Sequence, residues 1–246
     1  MSASVRVLLV GAAGRMGQAI KRTAESQVGV TINAECELGD VLDHSIPRCD
    51  VVIDFSHPDA TEQNCAACVG SGKPMVIGTT GHSQHQRALI EEAAKSIPVL
   101  LAANFSVGVN TLFWLTRRAA ELLGDGCDLE IVETHHRLKK DAPSGTAKRL
   151  AEILCDVRAL DYTKNVLHGR EGMIGERAGD QIGMHAIRGG DVVGDHTVIF
   201  AAPGERLELT HKASSRETFA LGALRAARWI VGKPPGRYSM EDVLGL

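Results

Sequence analysis

Up to Phe105, short apolar runs alternate with stretches of helical spacing. "VRVLLVG" is a β-branched run closed by glycine, and "RMGQAIKRTAES" continues as a helix pattern. "VTINAECE", "DVVIDFS", "PMVIGTTG" and "IPVLLAANFS" predict further strands, with "HPDATEQNCAACVGSG" and "SQHQRALIEEAAKS" as helices among them. Strands separated by helices of this length predict βαβ units and a mainly parallel sheet covered on both faces. The apolar runs do not alternate strictly, which fits strands buried on both sides.

Beyond Phe105 the pattern changes. "VNTLFWLTRRAAELLG" predicts a longer helix, with Leu112, Leu115, Ala119, Leu122 and Leu123 at helical spacing. The strand "CDLEIVETHH", the turn "KDAPSG" and the helix "TAKRLAEILCDVRAL" follow. A glycine-rich stretch follows from "HGREGMIGERAGDQIG" onward, and its later part contains alternating runs such as "HTVIFAA" and "RLELTHKA", which read as antiparallel strands. "TFALGALRAARWIVG" predicts a final helix, and "PPGRYSMEDVLGL" reads as a tail.

Composition narrows the function classes. A chain of 246 residues buries a full core and is long enough for two modest domains. Apolar residues at 44% and charged residues at 23% are ordinary for a globular protein. The net charge of −3 argues against a nucleic-acid or anionic-membrane binder. No apolar run reaches the ~18 residues of a bilayer span, and no basic leader precedes "VRVLLVG", so the expected location is cytoplasmic. The six cysteines suggest no disulfide framework. Cys65 and Cys68 have C-x-x-C spacing, but no second Cys/His pair follows at finger spacing and the segment reads as mid-helix. They are expected to pack as small apolar groups.

"VGAAGRMG" sets Gly11, Gly14 and Gly17 at a strand-to-helix junction. A tight turn without side chains, opening onto a helix N-terminus, suits a pyrophosphate. Ala13 replaces the second glycine of the common G-x-G-x-x-G fingerprint. Glu37, 20 residues past Gly17 at the end of the second strand, stands where an acid takes the adenosine ribose hydroxyls. Leu38, Gly39 and Asp40 follow it with no cation to receive a 2′-phosphate, so NADH is the expected cofactor, with NADPH as a second choice. Gly78-Thr79-Thr80 and Ala102-Ala103-Asn104-Phe105 end two later strands, where small residues admit a cofactor and Thr or Asn can bond a nicotinamide amide. These features predict an α/β chain with a Rossmann-like doubly wound parallel sheet over 1–106, onto which 217–246 packs back. A second α+β domain with a mixed or antiparallel sheet is expected over 107–216.

In "ETHHRLKKDAPSGTAKRL", adjacent histidines precede three cations and a helix start. On an extended strand, His135 and His136 point to opposite faces. Glu133 and Asp141 would complete a poor zinc set, so no metal is expected. Lys139 and Lys140 add positive charge, and a desolvated lysine can donate a proton. Ser144 or Thr146 stands near the helix cap, and Gly145 leaves the backbone open for a carboxylate. Beside a nicotinamide site, this points to hydride delivery to a carboxylate substrate with proton donation nearby.

"GAAGRMG", "VIGTTG", "AANFSVGVN", "HHRLKKDAPSGTA", "GDHTVIFA" and "GERLELTHKASSR" together resemble the 4-hydroxy-tetrahydrodipicolinate reductase (dihydrodipicolinate reductase) family of lysine biosynthesis. The resemblance implies reduction of a cyclic dicarboxylate by NAD(P)H. By motif, His135 and Lys139 would be catalytic, and His136, Gly145 and Thr146 would bind substrate. Gly11, Ala12, Ala13, Gly14, Arg15, Met16, Glu37, Gly78, Thr79, Thr80, Ala102, Ala103, Asn104 and Phe105 would contact the cofactor. It also implies two domains that close over substrate and a homotetramer built through the second domain's sheet. Leu38 departs from the pattern, standing where some members carry Arg for NADP. A semialdehyde dehydrogenase would need an activated cysteine, and neither Cys127 nor Cys155 has a histidine partner in the pattern. An NADH-sensing regulator would need a DNA-reading element, and none is legible.

Overall fold

A computed structural model describes residues 4–246. In chain order the elements begin β1 (Val5–Val10), α1 (Arg15–Glu25), β2 (Val30–Cys36), β3 (Val51–Asp54), α2 (Thr61–Gly70), β4 (Met75–Ile77), α3 (Gln84–Ala94) and β5 (Pro98–Leu101). They continue with α4 (Val107–Leu123), β6 (Asp128–His135), α5 (Gly145–Arg158), α6 (Tyr162–Asn165), β7 (Val166–His168), β8 (Ile182–Arg188), β9 (Gly194–Ala202) and β10 (Glu205–Ala213). The last are α7 (Glu217–Ile230), β11 (Gly236–Tyr238) and α8 (Met240–Leu244). The chain divides into two compact units, one ending at Val107 and resuming with Arg216–Leu246, the other Gly108–Ser215.

The first unit is built on six strands in the order β11-β5-β4-β3-β1-β2, all parallel. Alternate residues of β1, β3, β4 and β5 enter different cores. Val7, Leu9, Ile53, Val76 and Leu100 pack with Ala19 and Ile20 of α1 and with Ala223, Ala227 and Ile230 of α7. Leu8, Val10, Val52, Met75, Ile77 and Val99 pack on the other side with Cys65, Cys68, Ile90 and Ala93 of α2 and α3. Burial on both faces explains the unbroken apolar runs. Cys65 and Cys68 are ordinary members of that second core, and burial pushes the Cys65 thiol up to about 11. Strand order reverses between β1 and β3, the point at which doubly wound sheets open a ligand crevice.

The stretch read as a tail is not one. Gly236–Tyr238 adds a parallel edge strand to β5, and Ser239 caps α8 in a capping box with Asp242.

In the second unit the strand order is β10-β9-β6-β8-β7. β6, β8 and β7 run parallel, while β9 and β10 join antiparallel. Here burial alternates strictly along β6 and β9, because helices cover one face only. Leu129, Ile131, Val198 and Phe200 pack beneath Leu112 and Ala120 of α4 and Leu150, Ala151 and Leu154 of α5. The buried side of α4 differs from the leucine stripe predicted. Val109, Leu112, Thr116 and Ala120 face inward, whereas Leu115 and Leu122 are exposed. β8 lies inside the glycine-rich stretch, in a part where no strand is predicted, and the short β7 ends where that stretch begins.

Candidate active site

The glycine turn after β1 is fixed by packing at both ends. Gly11 has φ +81°, a left-handed conformation that favours glycine, and a β-carbon there would stand 2.5 Å from the Phe55 carbonyl oxygen. At Gly17 a β-carbon would lie 2.2 Å from the Gly11 carbonyl oxygen. Gly14 is the N-cap of α1, which starts with no side-chain cap and no acid in its first turn. The positive end of the helix is thus presented to an anion. The Ala13 N–H donates to Glu37 Oε1 at 2.6 Å, joining the turn directly to the predicted ribose acid. Leu38 beside it is exposed.

Asp54, fully buried at the end of β3, ties this turn's neighbours together. Its carboxylate accepts from the Ser56 N–H and hydroxyl, from Asn64 and from the Thr79 hydroxyl at 2.6–3.1 Å. Its carbonyl accepts from the Gly78 and Thr79 N–H groups. Glycine at 78 makes room for the Phe55 ring, which a β-carbon would approach to 2.2 Å. Arg15, Met16, Phe55, Ser56, Gly78, Thr79 and Thr80 line a cleft of about 810 Å³ beyond these strand ends. Ala102 follows β5, its N–H bonded to the Ile77 carbonyl, and Asn104 Oδ1 accepts from the Ser106 N–H. Phe105 is buried with its ring 5.4 Å from that of Phe55. Asp54, Phe55 and Ser56 escaped the sequence reading, which took "DFS" simply as a strand end.

In the second unit His135 and the backbone at the start of α5 meet at one side chain, Glu133, which the sequence offers only as a poor metal ligand. Glu133 shares the buried face of β6 with His135, two residues on, and is itself fully buried. His135 Nδ1 lies 2.6 Å from Glu133 Oε2. The Ser144 N–H donates to Oε1 at 3.0 Å, and both Arg188 amino groups donate at 2.7 and 2.8 Å. The register of β6 on β8 sets Arg188 opposite His135, which puts its guanidinium beside Glu133. Burial raises the Glu133 carboxyl, but the bonds from His135, Arg188 and the Ser144 N–H outweigh it and bring it down to about 2. It is an anion that only accepts.

Glu133 therefore closes the loop from His136 to Pro143 by binding both of its ends. Inside that loop the Lys139 N–H donates to the His136 carbonyl, and Lys139 Nζ pairs with Asp141 at 2.9 Å. Ser144 caps α5 by accepting the Ala147 N–H, and its hydroxyl meets His196 Nε2 at 3.0 Å. Gly145 is exposed at the first position of the helix, with Thr146 beside it and no acid in the first turn. His196 stands edge-on to His135, ring centroids 5.1 Å apart. Burial, and then the neighbouring His135, hold His196 down to about 3, so it is neutral. His136 sits half-buried just beyond the strand end.

All six cysteines are buried and unpaired by disulfide; Cys127 contacts Arg158, and burial raises Cys155. Neither resembles an activated nucleophile. No cluster of metal-binding side chains is found among the described residues, and no helix among them is long and apolar enough to cross a membrane.

A parallel sheet with a glycine turn at its reversal point, and a mixed sheet carrying a histidine beside a helix N-terminus, define a two-unit nucleotide-dependent oxidoreductase class. The family model for dihydrodipicolinate reductase, N-terminus, matches residues 5–105, and the one for the C-terminus matches 108–244. The chain belongs to the dihydrodipicolinate reductase family. It is 55% identical to the 4-hydroxy-tetrahydrodipicolinate reductase of Akkermansia muciniphila over 98% of both chains. It is 49% identical to that of Syntrophotalea carbinolica over 98% of this chain and 99% of the relative. A solved dipicolinate-bound dihydrodipicolinate reductase from Paenisporosarcina sp. TG-14 superposes with a TM-score of 0.79 at 22% identity, over 96% of this chain and 97% of that one, a likeness of fold.

Proposed function

We propose that this chain reduces 4-hydroxy-tetrahydrodipicolinate, by way of dihydrodipicolinate, to tetrahydrodipicolinate with NAD(P)H, in lysine and diaminopimelate biosynthesis. The observation that carries this reading is the convergence of His135 and the start of α5 on Glu133, in a chain that matches the reductase family along its length.

The glycine turn, the cap-free start of α1 and Glu37 fit a dinucleotide: a β-carbon at Gly11 or Gly17 would close the turn, and Glu37 is held against it. When bound, the nicotinamide supplies a hydride for the conjugated imine of the substrate. Thr80 and Asn104 are proposed to orient its amide. Gly145 and Thr146 at the start of α5, with His136 and the nearby lysines, would hold the substrate carboxylates. Lys139 or His135 would return a proton to the carbon made basic by hydride addition.

Two finer readings go with this. Glu37 followed by Leu38 favours NADH over NADPH, because no cation stands ready for the 2′-phosphate. The face of the second sheet away from α4 and α5 presents Val132, Thr134, Thr197 and Ile199, none of them buried, and supports a homotetramer assembled through it. Light scattering at several concentrations tests that assembly. The reaction is proposed to run in the cytoplasm, where thiols such as these six stay reduced.

The deciding experiment follows loss of NADH and NADPH absorbance, with substrate generated in the cuvette from pyruvate and aspartate semialdehyde by a separate synthase. Turnover is the expected result. A folded protein that binds NADH without turnover would reject the reading.

A further inference from the structure

Glu133 is used by neither hydride nor proton transfer in the reading above, yet it is the most heavily bonded carboxylate of the second unit's active face. Resting on that reading, we propose that Glu133 is the positioning residue of the site: it fixes the tautomer of His135 and ties that imidazole to the carboxylate-binding start of α5.

The argument is one of donors and acceptors. Because Glu133 is charged, its oxygens offer no proton, so the 2.6 Å contact with His135 Nδ1 requires that nitrogen to carry the hydrogen. Nε2 is then the nitrogen left to exchange a proton. It lies along the Gly194 backbone, where a β-carbon would stand 2.9 Å away and the glycine leaves the space open. The second Glu133 oxygen accepts the Ser144 N–H at 3.0 Å, so the same carboxylate sets the distance between the imidazole and the first turn of α5. Arg188 spans both oxygens and balances the charge, which lets a buried carboxylate orient a histidine without leaving an isolated anion in the core. His196 completes the arrangement from β9, bonded to the cap hydroxyl of Ser144 and edge-on to His135. A carboxylate needed only to balance Arg188 would not have to meet the imidazole and the helix cap at once.

The test needs two readouts on the full-length protein. The first is 15N NMR of histidine-labelled protein at a pH where His135 is neutral, with His135→Asn giving the assignment. The expected state is protonated Nδ1 and bare Nε2, the reverse of the form that free histidine favours in water. A protonated Nε2 would overturn the proposal whatever the variants do.

The second is kinetic. Glu133→Gln is expected to lower kcat roughly 100-fold with KM for the dinucleotide changed less than about 2-fold. Placed in a His135→Asn background, the same change should cost less than about 3-fold, because it acts through the imidazole. An equal cost in both backgrounds would make Glu133 purely structural and sink the idea. Should the Gln variant not fold, the tautomer measurement alone decides. If the wild-type protein shows no turnover, the reductase reading fails, while the NMR result still reports on Glu133 and His135.

Discussion

Gly194 and His135 fit against each other edge to backbone: a β-carbon on residue 194 would stand 2.9 Å from His135 Nε2, and the three atoms nearest it all belong to that ring. The imidazole cannot swing aside cheaply, because Nδ1 is held 2.6 Å from Glu133. Gly194→Ala is therefore expected to fold with a loss of about 1–3 kcal/mol. Its kcat should fall further than its stability suggests, by roughly 10- to 100-fold, because the ring proposed to exchange the proton is displaced. Thermal denaturation and steady-state kinetics on one preparation check both. An unchanged kcat would detach His135 from the chemistry.

Leu38 is exposed next to an acid that already bonds the glycine turn through Ala13. Because residue 38 is exposed, a long cation there can be accommodated without displacing Glu37 from the turn. Leu38→Arg should raise the ratio of kcat/KM for NADPH over NADH by about 10-fold, equivalent to ~1.4 kcal/mol of added binding. The comparison is made with both dinucleotides at saturating second substrate. A ratio that does not move would mean that residue 38 lies outside the adenosine pocket.

Lys139 is only partly exposed, and its ammonium pairs with Asp141, whose carboxyl it holds below the usual range. If Lys139 returns the proton to substrate, Lys139→Ala should lower kcat by about 100-fold or more, with the dinucleotide KM within about 2-fold of wild type. A kcat near wild type would leave the proton transfer to His135.

The first unit was legible because strands buried on both faces write unbroken apolar runs, and because a glycine turn carries its reason locally. The second was half legible. β8 was hidden by Gly183, which looks like a strand breaker; a β-carbon there would meet the Glu130 carboxylate at 1.8 Å, so the glycine is set by a cross-strand neighbour. β11 has three residues and exists only because β5 offers an edge, which no local pattern announces. His135 and Lys139 could be found from their segment. The companions of His135 could be found only in part: Glu133 lies two residues away on the same strand face, but His196 comes opposite Glu133 only through the register of β9. Arg188 likewise depends on the β6–β8 pairing.

That register also sets the acid stability of the second unit. His196 is neutral because burial, with His135 beside it, lowers it from 6.5 to about 3, and His211 opposite it is lowered by burial too. An unfolded chain takes up the proton below pH 6.5, whereas the folded one refuses it until about pH 3. The unfolded state thus binds more protons across this window, and stability falls as pH drops through it. For His196 alone the loss reaches about 2 kcal/mol at pH 5. Glu130 and Glu133 act in the same direction but later. Burial raises both, yet their hydrogen bonds bring them from 4.5 down to about 2, so their contribution is present above pH 4.5 and is lost as pH falls toward 2. Trp114 lies in the second unit and Trp229 in the first, so Trp229→Phe leaves one fluorophore reporting on the second. Urea unfolding of that variant should show the midpoint declining between pH 6.5 and 5, above the range in which Glu130 and Glu133 lose their contribution. His196→Gln, which keeps a group able to bond Ser144, should reduce that decline and leave the part that His211 contributes. A midpoint level from pH 8 to 5 in the parent would mean that His196 takes its proton in place, and the buried neutral imidazole would have to be abandoned.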